Sequence, residues 1–65
     1  MKPELKYGEF YYDKLLKNKV RYRGQSTGYW GGKLNPHIFV ADTNYEEIFL
    51  LDEEVDKRIV EIKQV

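Results

Sequence analysis

The 65-residue chain contains no cysteine, a single histidine (His37) and a single serine (Ser26). Without thiols, neither a disulfide framework nor a thiolate zinc site can strengthen so small a domain. A catalytic Ser–His–Asp arrangement would have to combine Ser26 with His37, and nothing around either residue resembles a nucleophile elbow. We therefore expect no metal, no cofactor and no enzymatic activity.

Long apolar segments are also missing, since no apolar run exceeds the four residues of 38–41 and 48–51. A signal peptide needs about 7–15 apolar residues and a membrane span about 20. We therefore expect a cytoplasmic protein that is not associated with a membrane. A phosphate-binding P-loop is missing too, because Gly32-Lys33 is followed by Leu34 where that motif has Ser or Thr.

Charge is divided between the two halves of the chain. Residues 1–33 carry eight basic side chains and three acidic ones, a net +5, whereas residues 34–65 carry three basic and eight acidic ones, a net −5. The first half also holds seven of the ten aromatic residues. Cations interleaved with flat rings suit an anionic partner with stackable groups, such as nucleic acid.

Alternation and turn residues predict a mainly β chain. In segment 19–24, Val20 and Tyr22 fall on one face of a strand while Lys19, Arg21 and Arg23 fall on the other. Further strands are expected at 29–34, at the apolar segment 37–41 and at 46–51. The two glycines of segment 29–34 weaken that strand and predict a bulge or bend in it. Turn residues separate these segments.

Both ends of the chain allow two interpretations. Segment 8–17 has apolar and aromatic pairs spaced four residues apart, which favours a short helix, although the cluster Phe10-Tyr11-Tyr12 favours a strand. At the other end, a single turn over 53–57 followed by a strand over 58–63 competes with a helix over 53–64. We favour the short N-terminal helix and the C-terminal strand, and we expect residues 1–5 to be flexible.

These elements predict one small domain, residues 1–65, in which a five-stranded meander curls into a small barrel. The outline is compatible with SH3-like or OB-like barrels, which remove exposed sheet edges. The alternative is an α+β fold with the C-terminal helix 53–64 packed on a small antiparallel sheet. A second copy of the chain could enlarge so thin a core, so a homo-oligomer is compatible with the sequence.

The leading functional hypothesis is a non-catalytic binding module whose basic, aromatic first half contacts nucleic acid, with single strands or RNA favoured. In this hypothesis cations neutralise phosphates and rings stack on bases. The alternative is a protein–protein interaction module, either an accessory subunit or a small inhibitor of a larger protein, because a net charge of zero does not favour a polyanion. The candidate residues for either partner are Lys19, Arg21, Tyr22, Arg23, Tyr29, Trp30 and Lys33.

Overall fold

The computed structural model describes residues 4–62. It contains seven strands and one helix in these residues. They are β1 (Phe10–Asp13), β2 (Asn18–Gln25), β3 (Tyr29–Trp30), β4 (Lys33–Leu34), β5 (His37–Ala41), β6 (Glu47–Leu50), α1 (Asp52–Arg58) and β7 (Ile59–Glu61).

Five of the strands form one antiparallel sheet in the order β6-β5-β2-β1-β7. The predicted mainly β class is therefore confirmed. Strands β1, β2, β5 and β6 form an antiparallel meander that differs from the expected one, because it includes β1 and leaves out segment 29–34. Strand β7 then pairs with β1 at the opposite edge of the sheet from β6. Pairing within residues 4–62 leaves β6 and β7 as the outermost strands, and these strand pairs do not by themselves show a closed barrel.

The predicted N-terminal helix is wrong, because its first half forms β1 and residues 14–17 form a turn. Tyr11 and Asp13 are buried while Phe10 and Tyr12 are exposed, which is the two-residue period of a strand. The Asp13 carboxylate then accepts the Leu15 N–H at 2.9 Å, and this bond starts the turn to β2. The β-favouring aromatic cluster outweighs the helical spacing.

Segment 29–34 is a hairpin of its own, so the prediction of one bent strand is wrong. Tyr29 pairs with Leu34 and Trp30 with Lys33 in a two-stranded sheet. The two residues between them, Gly31 and Gly32, have φ of +59° and +79°. Positive φ at both central positions is the geometry of a type I′ turn, which joins two strands without splaying them.

The prediction of a helical turn followed by a strand is confirmed at the C-terminus. Helix α1 runs over seven residues and ends at Arg58, and β7 then pairs with β1. A helix over 53–64 is wrong because Ile59 already has extended backbone and pairs with Asp13. The last residue of the predicted strand, Lys63, lies outside the described residues, as do residues 1–3 of the segment expected to be flexible.

The core lies on one face of the sheet, beneath α1. Phe39 is at its centre, with the Tyr22 ring centroid 5.1 Å away and the Tyr11 ring edge-on at 6.4 Å. Val55 is the buried residue of α1, so the helix covers this inner face. The remaining members of the cluster are Val20, Leu50 and Ile59, with Leu5 and Ile48 packed against it.

A buried ion pair fastens the end of α1 to the end of β1. The Asp13 side chain is fully buried, and the Arg58 guanidinium donates to its two oxygens at 2.7 and 3.3 Å. The Lys14 N–H also donates to the Arg58 carbonyl at 2.8 Å. These contacts hold β7 beside β1 and thereby fix the position of the outer residues of β1.

Candidate nucleic-acid interface

The outer face of β2 carries a row of cations, as its alternation predicted. Lys19, Arg21 and Arg23 are exposed, and the residues between them, Val20 and Tyr22, are buried. Side chains two residues apart on a strand are about 6.5–7 Å apart. The row therefore runs along the strand at a spacing that an extended polynucleotide backbone can follow.

Aromatic residues of β1 stand beside these cations. Phe10 is opposite Arg21 in the strand register and Tyr12 is opposite Lys19. The Lys19 ammonium lies 4.7 Å from the centroid of the Phe10 ring, and the Arg21 guanidinium carbon lies 5.6 Å from it. We name the five residues Phe10, Tyr12, Lys19, Arg21 and Arg23 the basic–aromatic face.

The three cations differ in how strongly other groups of the protein hold them. Arg21 donates through Nε to the Gly8 carbonyl at 3.1 Å, which orients its guanidinium, and no carboxylate among residues 4–62 forms an ion pair with it. The Lys19 ammonium is 3.8 Å from Asp42, with both side chains nearly half exposed. Within residues 4–62, the Arg23 guanidinium has neither a hydrogen bond nor an ion pair. Such weakly held charges can move to an incoming phosphate at little cost.

Backbone irregularity in β2 accompanies Arg23. The register between β2 and β5 shifts between Tyr22 and Gln25, and Gly24 in this interval has φ of +95°. A bulge of this kind bends a strand and re-aims the side chains next to it. Arg23 thus borders a pocket between β2 and the turn 42–45.

This pocket encloses about 280 Å³ at the edge of the basic–aromatic face. Two arginines, two aromatic residues and one aspartate are among its lining residues. The lining residues are Phe10, Arg21, Arg23, Val40, Ala41, Asp42 and Tyr45.

Tyr22 is not available as a stacking platform, because only 7% of its surface is exposed. Its hydroxyl is 2.8 Å from His37 Nδ1, and His37 Nε2 is 2.6 Å from an Asp52 oxygen. Burial raises the pKa of the Tyr22 phenol, and the nearby Tyr11 and Asp52 raise it further. The neutral tautomer with hydrogen on Nε2 satisfies this chain, since it donates to Asp52 and accepts from Tyr22.

The Lys33 ammonium is also hydrogen-bonded to groups within the protein. Its ammonium donates to both oxygens of Glu54 at 2.7 and 2.8 Å and to the Phe49 carbonyl at 2.8 Å. Glu54 also accepts the Leu51 N–H at 2.9 Å. This hydrogen bond is the larger cause, and the hydrogen bond from Lys33 the next, of a lowered pKa of the Glu54 carboxyl. Lys33 therefore joins the β3–β4 hairpin to β6 and α1, and we leave it out of the interface.

Tyr29 and Trp30 are exposed on the hairpin that contacts β6. Both belong to the hairpin, whose Gly31 packs closely on the ring of Phe49 in β6. In the sheet, β5 and β2 separate β6 from β1. Tyr29 is 74% exposed and Trp30 50% exposed, with the indole N–H donating to the Thr27 carbonyl.

The acidic helix lies on the opposite side of the sheet from the cations. Val55 of α1 packs into the inner core, whereas Arg21 projects outward. The carboxylates of α1 are thus separated from the basic–aromatic face by the sheet itself. On the outer side, Asp42 lies beside Lys19, and Glu47 of β6 pairs with Val40 of β5.

Sequence reasoning missed three residues at this site. Phe10 and Tyr12 were assigned to a helix, and a strand interpretation of the same aromatic cluster would have set both beside β2. Tyr45 had no sequence signal, because it reaches the pocket through the turn that follows β5 and through its own left-handed backbone, with φ of +57°.

No protein-family model, no curated protein and no solved structure matches this chain. Within residues 4–62 no three acidic or histidine side chains come together as metal ligands would. The same residues contain no helix with the length and apolar character to cross a membrane.

Proposed function

We propose that the protein is a small non-catalytic binding module that holds single-stranded nucleic acid, RNA above all, on the basic–aromatic face. The observation that carries this proposal is the row of Lys19, Arg21 and Arg23, facing away from the acidic helix and bordered by exposed rings. We further propose a cytoplasmic location and a sheet curled into a small SH3-like or OB-like barrel. A barrel would protect the outer strands from pairing with other chains.

The chemistry of the face suits a single strand better than a duplex. Phe10 and Tyr12 lie two residues apart on one face of β1, about 6.5–7 Å, so they can contact successive unstacked bases. Such bases stack on aromatic rings at a gain of about 1–3 kcal/mol each. In a duplex the bases are paired and stacked, so only the cations would find partners.

The test is a salt titration of the binding of a mixed-sequence 10-nucleotide RNA, followed by fluorescence anisotropy. Three neutralised phosphates predict a slope of about −2 for log affinity against log salt, at about −0.7 per phosphate. The double variant Arg21→Gln/Arg23→Gln should lower the affinity and bring the slope close to −0.7. Lys14→Gln/Lys17→Gln removes the same charge from the exposed turn after β1 and should change the slope little.

An affinity that does not depend on salt would refute the proposal. Equal losses in the two double variants would also count against it, because they would show a general charge effect rather than a defined face.

The hairpin favours a second candidate function, a protein–protein interaction module. Tyr29 and Leu34 are cross-strand neighbours that expose 74% and 51% of their surfaces. Asn35 rigidifies the hairpin base by accepting the Gly28 N–H through its side chain at 2.7 Å. If Tyr29→Ser/Leu34→Ser loses partners that the wild type captures from nuclease-treated lysate, this candidate gains. Sedimentation of the same variant tests whether the partner is a second copy.

A further inference from the structure

We infer that the pocket between β2 and the turn 42–45 selects nucleobases that carry an exocyclic amino group, and among pyrimidines prefers cytosine to uracil. The inference rests on the proposed function and adds base selectivity to it. It arises from the one carboxylate, Asp42, that stands among the cations of the pocket.

The mixed lining of the pocket restricts what it can hold. Arg21 and Arg23 offer only hydrogen-bond donors, whereas the ionised Asp42 carboxylate offers only acceptors. A bare phosphate would leave the Asp42 carboxylate without a donor, and a simple cation would be repelled by the two guanidinium groups. A ligand fits best when it presents acceptors and an amino donor side by side.

Cytosine has this arrangement on its pairing edge. Its O2 and N3 atoms are acceptors and its N4 amino group is a donor, so arginine N–H groups and the Asp42 carboxylate can be satisfied together. Each guanidinium has five N–H donors, so the remaining ones can still contact the flanking phosphates. Uracil has the same ring but carries a carbonyl oxygen in place of the amino group and an N–H at N3. That carbonyl oxygen would face the Asp42 carboxylate, and acceptors repel each other. Carboxylates elsewhere read cytosine through this N4 group.

Among residues 4–62, the Asp42 carboxylate forms an ion pair with Lys19 but accepts no hydrogen bond. The Asp42 N–H donates to the Lys19 carbonyl at 2.9 Å, which fixes the backbone at the start of the turn. Its side chain is 46% exposed, and the Lys19 ammonium, at 3.8 Å, is beyond hydrogen-bond distance. Binding of an amino group therefore does not require Asp42 to give up a close internal hydrogen bond.

Tyr45 completes the pocket with a ring held in an unfavourable backbone conformation. Its φ of +57° is in the left-handed region, which non-glycine residues rarely adopt, and its N–H donates to the Ala41 carbonyl at 3.0 Å. The ring is 79% exposed, so packing within residues 4–62 does not account for a tyrosine here. Strain retained at an exposed aromatic residue is consistent with a binding role.

The test compares labelled 10-nucleotide oligo(C) and oligo(U) at pH 7.5 by anisotropy, with the wild type and two variants of matched charge. We expect the wild type to bind oligo(C) about five- to tenfold more tightly, the lower range for one base-reading contact. Asp42→Asn should bring the ratio of the two affinities close to one, because an amide can also donate to uracil. Glu47→Gln removes the same charge outside the pocket, so it should raise both affinities and keep their ratio.

The outcomes separate the two proposals. If both oligonucleotides bind equally and Arg21→Gln/Arg23→Gln weakens both, the base selectivity is wrong and the proposed function stands. An oligo(C) preference that persists in Asp42→Asn also overturns the inference. If neither oligonucleotide binds, the proposed function fails and the inference fails with it.

Discussion

Replacement of Arg58 by methionine should lower the free energy of unfolding of the domain by about 3 kcal/mol. In the native structure the guanidinium neutralises Asp13, whose side chain has no exposed surface. Methionine keeps much of the apolar stem that packs beside β1 but has no charge and no donor. Within residues 4–62, Asp13 would then retain only its hydrogen bonds from the Leu15 and Leu16 N–H groups at 2.9 and 3.2 Å.

Removal of one partner from a buried ion pair costs about 3–5 kcal/mol, because the other charge stays buried without compensation. Because Asp13 keeps two backbone hydrogen bonds, we expect Arg58→Met to lower the free energy of unfolding by about 3 kcal/mol, the lower end of that range. At about 0.05–0.15 kcal/mol per residue, a domain of this size has about 3–10 kcal/mol in total. The variant should therefore be partly unfolded at 25 °C if the native stability is at the lower limit.

Urea unfolding followed by circular dichroism measures the loss. The double variant Asp13→Asn/Arg58→Met removes the orphaned charge and keeps an oxygen that can accept the two turn N–H groups. We expect it to be about 1–2 kcal/mol more stable than Arg58→Met alone, since an unpaired amide costs less than an unpaired charge. Lys57→Met removes one exposed positive charge from the same helical turn and should cost less than about 1 kcal/mol.

A double variant no more stable than Arg58→Met would refute this reasoning. The cost would then come from lost packing of the arginine stem, and the buried charge of Asp13 would not be the cause.

Two further predictions concern the hairpin and α1. Gly31→Ala should destabilise the fold more than Gly32→Ala. Both glycines have positive φ, a backbone conformation that costs other residues about 1–2 kcal/mol. At Gly31 alone of the two, the new Cβ would also lie 2.8 Å from the Phe49 ring. Equal losses in urea unfolding would contradict this close packing. The backbone and lysine hydrogen bonds described above lower the pKa of Glu54 below its ordinary value of 4.5. Its contribution to stability is therefore present above pH 4.5 and is lost as the pH falls through the lowered pKa. Melting temperatures between pH 7 and 3 should fall less steeply in Glu54→Gln than in the wild type, and parallel curves would show that Glu54 contributes nothing.

The elements predicted correctly were those with a strictly local signal. Alternation in β2 assigned Val20 to the core and Arg21 to solvent, and the apolar segment of β5 predicted a strand inside the sheet. The hairpin turn also had a local signal in its glycine pair, but the segment was interpreted as one bent strand. The first strand was misassigned because Tyr11 and Leu15 fit a helical face as well as a strand followed by a turn.

Contacts between residues that are distant in sequence distinguish the candidate residues that stay accessible from those that do not. Lys33 is hydrogen-bonded to Glu54, 21 residues away, and Tyr22 is hydrogen-bonded to His37, 15 residues away. Neither partnership can be read from spacing, because strand pairing and the return of α1 over the sheet bring the groups together. Both side chains are candidates by residue type, and it is their neighbours in the fold that bury Tyr22 and bind Lys33.

The sequence by itself determined the β class, the inward and outward faces of β2, and the concentration of cations and rings in its first half. These properties follow from side-chain alternation and composition, which need no partner. Only the tertiary structure decided which rings stand beside the cations and that the sheet separates α1 from them. Register, burial and ion pairing depend on segments far apart in the chain, and these set Phe10 next to Arg21 while they buried Tyr22.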